Sequence, residues 1–407
     1  MTGPDALLRA RTCVAVVFAL NGGAFATWAA RIPDARIELD LTPGQLGLVL
    51  LWLSAGAVLA LPAAGWLTGR IGAARAVSLG AVVVTVGLFV AGAGGSGAGV
   101  LVLGLGLFAI GLGSGTWDVA MNLEGAVVER RLRRTIMPRF HAAFSLGTVL
   151  AAGLGALASW AQVPVWLHLA LVAVAVLAST LVAVRAFLPV HEHQVEAGRD
   201  EDGMPVRRRH PLRAWNEPRT LLIGVIVLAA AFTEGTANDW LSVAVVDGYG
   251  TAPWVGVLGF ATFVSAMTLG RVLGTGWLDR YGRVPVLSAA FALAALGSLL
   301  VVFGPSVGLW VAFAGSVLWG VGASLGFPVG MSAAADEPEH AAARVSVVAS
   351  IGYTAFLAGP PLLGFLGDEV GVLRALLVVG ALALPALLVT PAARPLRESS
   401  VPDRVRP

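Results

Sequence analysis

Twelve stretches of about twenty or more mostly apolar residues recur along the chain. They lie at roughly 12–32, 44–68, 75–94, 99–128, 140–161, 164–187, 219–245, 254–278, 285–304, 307–334, 344–366 and 372–390. A bilayer core of ~30 Å takes about 20 residues of helix to cross, so each stretch is long enough to span. Lipid offers no hydrogen bonds, and a helix is the element that satisfies its own backbone one span at a time. Composition agrees. Hydrophobic residues make up 57% of the chain and charged residues 13%, against about 25% charged in soluble domains. A soluble fold of this make-up would expose large apolar patches and aggregate. Disorder needs the opposite balance, low hydrophobicity and high charge. The reading is an all-α, multi-pass membrane protein.

The basic residues narrow the chemistry. All 27 are arginine, and lysine is absent. A P-loop needs its lysine to reach phosphates, and Schiff-base chemistry needs a lysine amine. The single cysteine, Cys13, provides neither an internal disulfide nor a cysteine-rich metal site. His191-Glu192-His193 lacks helical metal-ligand spacing. No cofactor, metal or nucleic-acid partner is expected.

Most connections between spans are short. The exception is 188–218, which carries His191-Glu192-His193, Arg199-Asp200-Glu201-Asp202 and Arg207-Arg208-Arg209. It reads as a solvated linker between two six-span halves, 1–187 and 219–407. With the N-terminus inside, only Arg31, Arg36 and Arg374 fall outside. The rest, including Arg70, Arg75, Arg130, Arg131, Arg133 and Arg134, sit inside or near inner helix ends. That is a strong positive-inside bias, and it predicts both termini in the cytoplasm. Arg9 and Arg11 before an apolar run, with Ala24-Phe25-Ala26 as a cleavage-like triplet, resemble a secretory signal. Removing that span would break the symmetry described next, so the run is read as the first span.

The halves resemble each other at an offset near 210 residues. Gly23 and Trp28 match Gly235 and Trp240. Gly65-Trp66-Leu67-Thr68-Gly69-Arg70-Ile71-Gly72 resembles Gly276-Trp277-Leu278-Asp279-Arg280-Tyr281-Gly282 with one gap, and Gly111-x-Gly113 matches Gly320-x-Gly322. Met121-Asn122 matches Met331-Ser332. Repeats of six spans are a transporter signature, with the solute site between the halves near the midplane.

These residues reach a family. Gly65…Gly69-Arg70-x-Gly72-x-x-Arg75 and its partner Asp279-Arg280-x-Gly282-Arg283 resemble the conserved loop of the major facilitator superfamily. Gly359-Pro360-Pro361-x-x-Gly364 in span eleven resembles the glycine-proline antiporter motif, which normally lies in span five. Trp117-Asp118-Val119-Ala120-Met121-Asn122 and Ala29-Ala30-Arg31-Ile32-Pro33-Asp34 resemble a bacterial inner-membrane branch related to the fucose:proton symporters. The resemblance implies twelve helices in two pseudo-symmetric six-helix halves. Two departures stand out: Gly69 replaces the family aspartate, and Thr275 replaces the glycine four residues before Asp279.

Ionisable side chains inside a membrane are costly and point to function. Glu234 lies about 13 residues, or ~20 Å, into span seven. The stretch Thr233–Asp239 around it is polar and glycine-bearing, which predicts local unwinding. Asn238 shares its face. Low-dielectric surroundings favour the neutral form of a carboxyl, so Glu234 is a candidate for proton coupling or solute binding. Asp239 is a second candidate nearer the outer interface.

Asp118 and Asn122 share a face of span four. Asp118 is expected to bind solute, take part in proton coupling, or pair with an arginine such as Arg271. Glu124 reads as an interfacial charge. Asn21 and Trp28 lie on one stripe of span one, an amide and an indole suited to a hydroxyl-rich ligand; Trp117, Trp240, Phe327 and Tyr353 add to that set. Trp and Tyr also serve as interface anchors.

Arg271, in the inner third of span eight, needs an acidic partner or a snorkelling route. Asp279 is expected to meet the N-terminus of span eleven, where the helix dipole favours an anion. With Arg70, Arg75, Arg280 and Arg283 they form the inner-gate candidates. His141 and His168 read as hydrogen-bonded structure ahead of proton relays.

The function expected is secondary active transport of a small, sugar- or polyol-like solute, coupled to protons, by a monomer in the bacterial inner membrane. Two rivals stand beside it: proton-driven efflux of hydrophobic compounds, and a non-transporting membrane sensor.

Overall fold

The computed structural model describes residues 4–134, 136–188 and 211–395. Twelve helices there are long and apolar enough to cross a bilayer. They are α1 (Asp5–Glu38), α2 (Pro43–Ile71), α3 (Ala73–Ala98), α4 (Val100–Leu132), α5 (Met137–Trp160), α6 (Val165–Ala186), α7 (Pro218–Tyr249), α8 (Pro253–Tyr281), α9 (Arg283–Ser306), α10 (Leu309–Ala334), α11 (Ala343–Val370) and α12 (Val372–Ala393). Most ends fall within a few residues of those read from hydropathy. The exception is α1, which starts earlier and resumes after a break at Ala30 and Arg31. Pro33 opens the resumed turn, where its missing N–H is not needed. The linker motifs at His191-Glu192-His193, Arg199–Asp202 and Arg207–Arg209 lie outside the described residues.

Helix pairing follows the repeat. In the first half α3 and α2 pack on α4, α1 on α5, and α3 on α6. In the second, α9 and α8 pack on α10, α7 on α11, and α9 on α12. The joints repeat too: Gly72 between α2 and α3 and Gly282 between α8 and α9 have φ of 85° and 77°, a region that only glycine enters at little cost. The most extensive crossings between halves are α2 with α11 and α8 with α5, and they are themselves related by the repeat.

Apolar side chains fill the interior and also cover the outer surface. Large side chains such as Leu59, Leu154, Leu171 and Leu384 are exposed around the outside, where lipid covers them. Small residues line the helix contacts, as expected where association relies on close backbone approach.

Two helices depart from regular geometry near the middle of the second half. Ala237–Leu241 of α7 forms a π-turn. α10 is interrupted at Ser324 and Leu325 before resuming at Gly326.

Candidate functional site

Glu234 lies near the end of the regular part of α7, just before the π-turn. The expected unwinding takes the form of that turn, a geometry frequent at functional sites. α8 brings Arg271 against it. Arg271 Nη2 donates to both carboxylate oxygens of Glu234, at 3.0 Å and 2.9 Å, and Arg271 Nε donates to the Ser324 carbonyl at 3.4 Å. The interruption of α10 leaves that carbonyl free to accept. Trp319 Nε1 donates to the Thr233 carbonyl at 3.2 Å and so ties α10 to α7 beside Glu234. The pair is half-buried, with Arg271 30% and Glu234 19% exposed. Both hydrogen bonds join full charges, the stronger kind.

The first half faces this pair with groups of its own. His141 of α5 is exposed and lies within Coulombic reach of Arg271. On α4, Asn122 Nδ2 donates to the Asp118 carboxylate at 3.3 Å and to its carbonyl at 2.9 Å. Tyr353 of α11 lies within Coulombic reach of Asp118. Polar groups of the two halves therefore meet twice, α5 with α8 at His141 and Arg271 and α4 with α11 at Asp118 and Tyr353. The alternative pairing of Asp118 with Arg271 is not formed: Arg271 is taken by Glu234, its neighbour within the same half.

The remaining candidates separate by burial. Asn21 is 3% exposed and donates to the Met121 sulfur at 3.8 Å, so its amide is held inside the first half. Trp28, Trp117 and Trp240 are at most 1% exposed, and no indole N–H among the three has a hydrogen-bond partner among the described residues. Asn238 and Asp239 are partly exposed in the π-turn. Asp239 borders a crevice against Phe356, Gly359 and Pro360 with room for about 10 Å³, close to a single water. Phe327 is partly exposed just past the break in α10. Glu124, read as an interfacial charge, is fully buried and accepts the Leu188 N–H at 2.7 Å.

The gate candidates make local contacts. Arg70 lies over Trp66 at 4.5 Å from the ring centre, and Arg280 over Tyr281 at 5.2 Å. Arg283 pairs with Asp336 at 2.7 Å and reaches Ser332 at 3.1 Å. Arg75 and Asp279 are exposed. Among the described residues, Asp279 makes no hydrogen bond to the start of α11.

The helix-end capping expected of Asp279 is made instead by Asp368, at the opposite end of the bundle. Asp368 Oδ1 accepts the Gly44 N–H at 3.1 Å, at the first turn of α2. Close by, Arg36 Nη1 donates to Asp247 Oδ1 and Oδ2 at 2.7 Å and 2.6 Å. Both contacts join the halves on the side away from the termini. A methyl at Gly47 would run into the Pro360 carbonyl, so α2 and α11 touch backbone to backbone there. Sequence reading missed this closure. Its one signal was Arg36, among the few arginines on that side.

A family model described as Major Facilitator Superfamily matches residues 13–274 and 254–405. The chain belongs to the major facilitator superfamily. This major facilitator protein is 31% identical over 381 residues to the uncharacterized transporter y4wD of Sinorhizobium fredii, covering 93% of this chain and 96% of that one. Among solved structures it resembles the nucleoside transporter NupG with a TM-score of 0.75 at 12% identity, covering 94% and 98% of the two chains. It also resembles the E. coli fucose:proton symporter FucP, with a TM-score of 0.62 at 16% identity and coverage of 94% and 98%. At such identities these likenesses establish the fold alone.

Proposed function

We propose that this major facilitator protein moves a small polar solute, sugar- or polyol-like, across a bacterial inner membrane by alternating access driven by protons. The halves 1–187 and 219–407 rock about the central site, joined by 188–218. The arginine bias supports cytoplasmic termini, which makes the Arg36–Asp247 side the periplasmic one. In that frame the described state is closed to the periplasm.

The observation that carries the reading is the Glu234–Arg271 pair of the second half, within Coulombic reach of His141 of the first. A proton on Glu234 weakens its hold on Arg271 and frees donors for the solute. Asp118, Asn122, Tyr353 and Asn238 offer hydroxyl-matching groups, and Phe327 an apolar edge. Asp118, with an amide and, among the described residues, no cation as its hydrogen-bond partner, is a second carboxyl that can take the coupling proton. A single chain holds both halves, which supports a monomer as the working unit.

The test is uptake of labelled sugars and polyols into proteoliposomes under an imposed proton gradient. Accumulation supports the proposal. Depletion favours efflux, and no movement of any solute favours a sensor.

A further inference from the structure

A groove of ≈ 350 Å³ opens on the second half, near the end that carries the termini, between α8, α9 and the break in α10. Trp277, Tyr281, Ala289, Leu293, Val321 and Leu325 line it. It exists because α8 and α9, joined by the tight turn at Gly282, both pack on α10 and hardly on each other. Trp277 is 40% and Tyr281 55% exposed. Trp277 lies about 120° round α8 from Arg271, so the groove looks away from the central site and into lipid. The volume falls in the range of roughly 300–1,000 Å³ typical of small-molecule sites.

The groove is apolar except at its rim. There, the Trp277 indole and the Tyr281 hydroxyl are donors without hydrogen-bond partners among the described residues. Arg280 stacks over the Tyr281 ring and has no carboxylate partner among those residues. Asp279 projects about 100° away round the helix, and Arg283 is already engaged by Asp336, which it shares with Arg219. The rim is therefore cationic over an apolar trough, at the level where lipid headgroups meet the protein.

We infer that this groove is a binding site for one anionic phospholipid, its acyl chain lying along Leu293, Val321 and Leu325 and its phosphate on Arg280, Tyr281 and Trp277. A free phosphate would use the rim and leave the trough unfilled. A zwitterionic lipid would fill the trough but bring its own ammonium to Arg280.

The experiment is native mass spectrometry of the full-length protein in detergent, with added phosphatidylglycerol or phosphatidylcholine of identical chains. The expected result is retention of phosphatidylglycerol about ten-fold above phosphatidylcholine. Arg280→Gln should bring the two to parity, and Ala289→Trp, which fills the trough, should lower retention of both. Arg185→Gln removes another exposed arginine at the same end of the bundle and should leave the preference intact. Equal retention of the two lipids by the wild type overturns the proposal. So does an effect of Arg185→Gln as large as that of Arg280→Gln, or undiminished retention by Ala289→Trp.

Discussion

One nitrogen of Arg271 bridges both carboxylate oxygens of Glu234, and the same guanidinium reaches the Ser324 carbonyl through Nε. One side chain on α8 thus reads the ionisation of α7 and the interruption of α10 together. Arg271 connects Glu234 to the point where α10 is interrupted.

Glu234→Gln should abolish proton-driven accumulation while leaving solute exchange across a membrane without a gradient. Losing one partner of a fully buried pair costs ~3–5 kcal/mol. Arg271 is 30% exposed, so water compensates part of that, and about 1–2 kcal/mol is expected. Thermal unfolding in detergent checks this; for a chain of 407 residues a midpoint lowered by about 1–3 °C fits that cost.

Arg36→Ala should loosen the closure on the side away from the termini. Its bond to Asp247 is partly exposed, worth up to ~1 kcal/mol, or about a five-fold shift in population. The readout is labelling of a cysteine at Phe356, in a Cys13→Ser background, by an impermeant maleimide added from that side. The rate should rise in Arg36→Ala and in Asp247→Ala, and fall back in the charge-swapped double variant.

Asp336 is the shared partner of Arg219 and Arg283, each at 2.7 Å, and so ties the ends of α7, α9 and α10. Asp336→Asn should destabilise the second half by about 1–3 kcal/mol, the usual cost of stranding hydrogen-bonded charge. The same change should leave the Arg36–Asp247 closure labelling unaltered, since the two clusters sit at opposite ends.

Glu217 gives a sign for pH. Burial raises its pKa, but hydrogen bonds from Arg344 and Thr220, and the Arg344 and His340 charges, outweigh that and hold the carboxyl below its ordinary value. A depressed folded value means the stabilisation is full above the ordinary carboxylate range and is lost as pH falls through the folded value. Glu217→Gln should therefore cost stability at neutral pH and progressively less as the medium is acidified. In an Arg344→Gln background the same substitution should show little of that pH dependence. A double-mutant cycle across an acid titration measures it.

The fold was legible because hydropathy, arginine placement and the repeat are one-dimensional signals. The spans, the Gly72 and Gly282 joints and the polarity of the Glu234 segment all follow from spacing. The site was legible only in its members. That Glu234 is ionisable in mid-span can be read directly; that Arg271 reaches it depends on how α7 and α8 pack. The indoles of Trp28, Trp117 and Trp240 illustrate the limit: composition cannot distinguish a ring in a cleft from one in a helix interface, and here the rings are buried. The Gly44–Asp368 contact was equally hidden. A backbone N–H at a helix start carries no residue signature, and its partner lies in the other half of the chain.

The most direct measurement of the central claim is solute-evoked proton movement in proteoliposomes, wild type against Glu234→Gln. Internal pH is followed by a trapped dye while a panel of sugars and polyols is added outside. At least one solute should acidify the wild-type lumen and none should do so in Glu234→Gln, with Asp118→Asn weakening the response. Undiminished solute-driven acidification in Glu234→Gln would contradict the central claim.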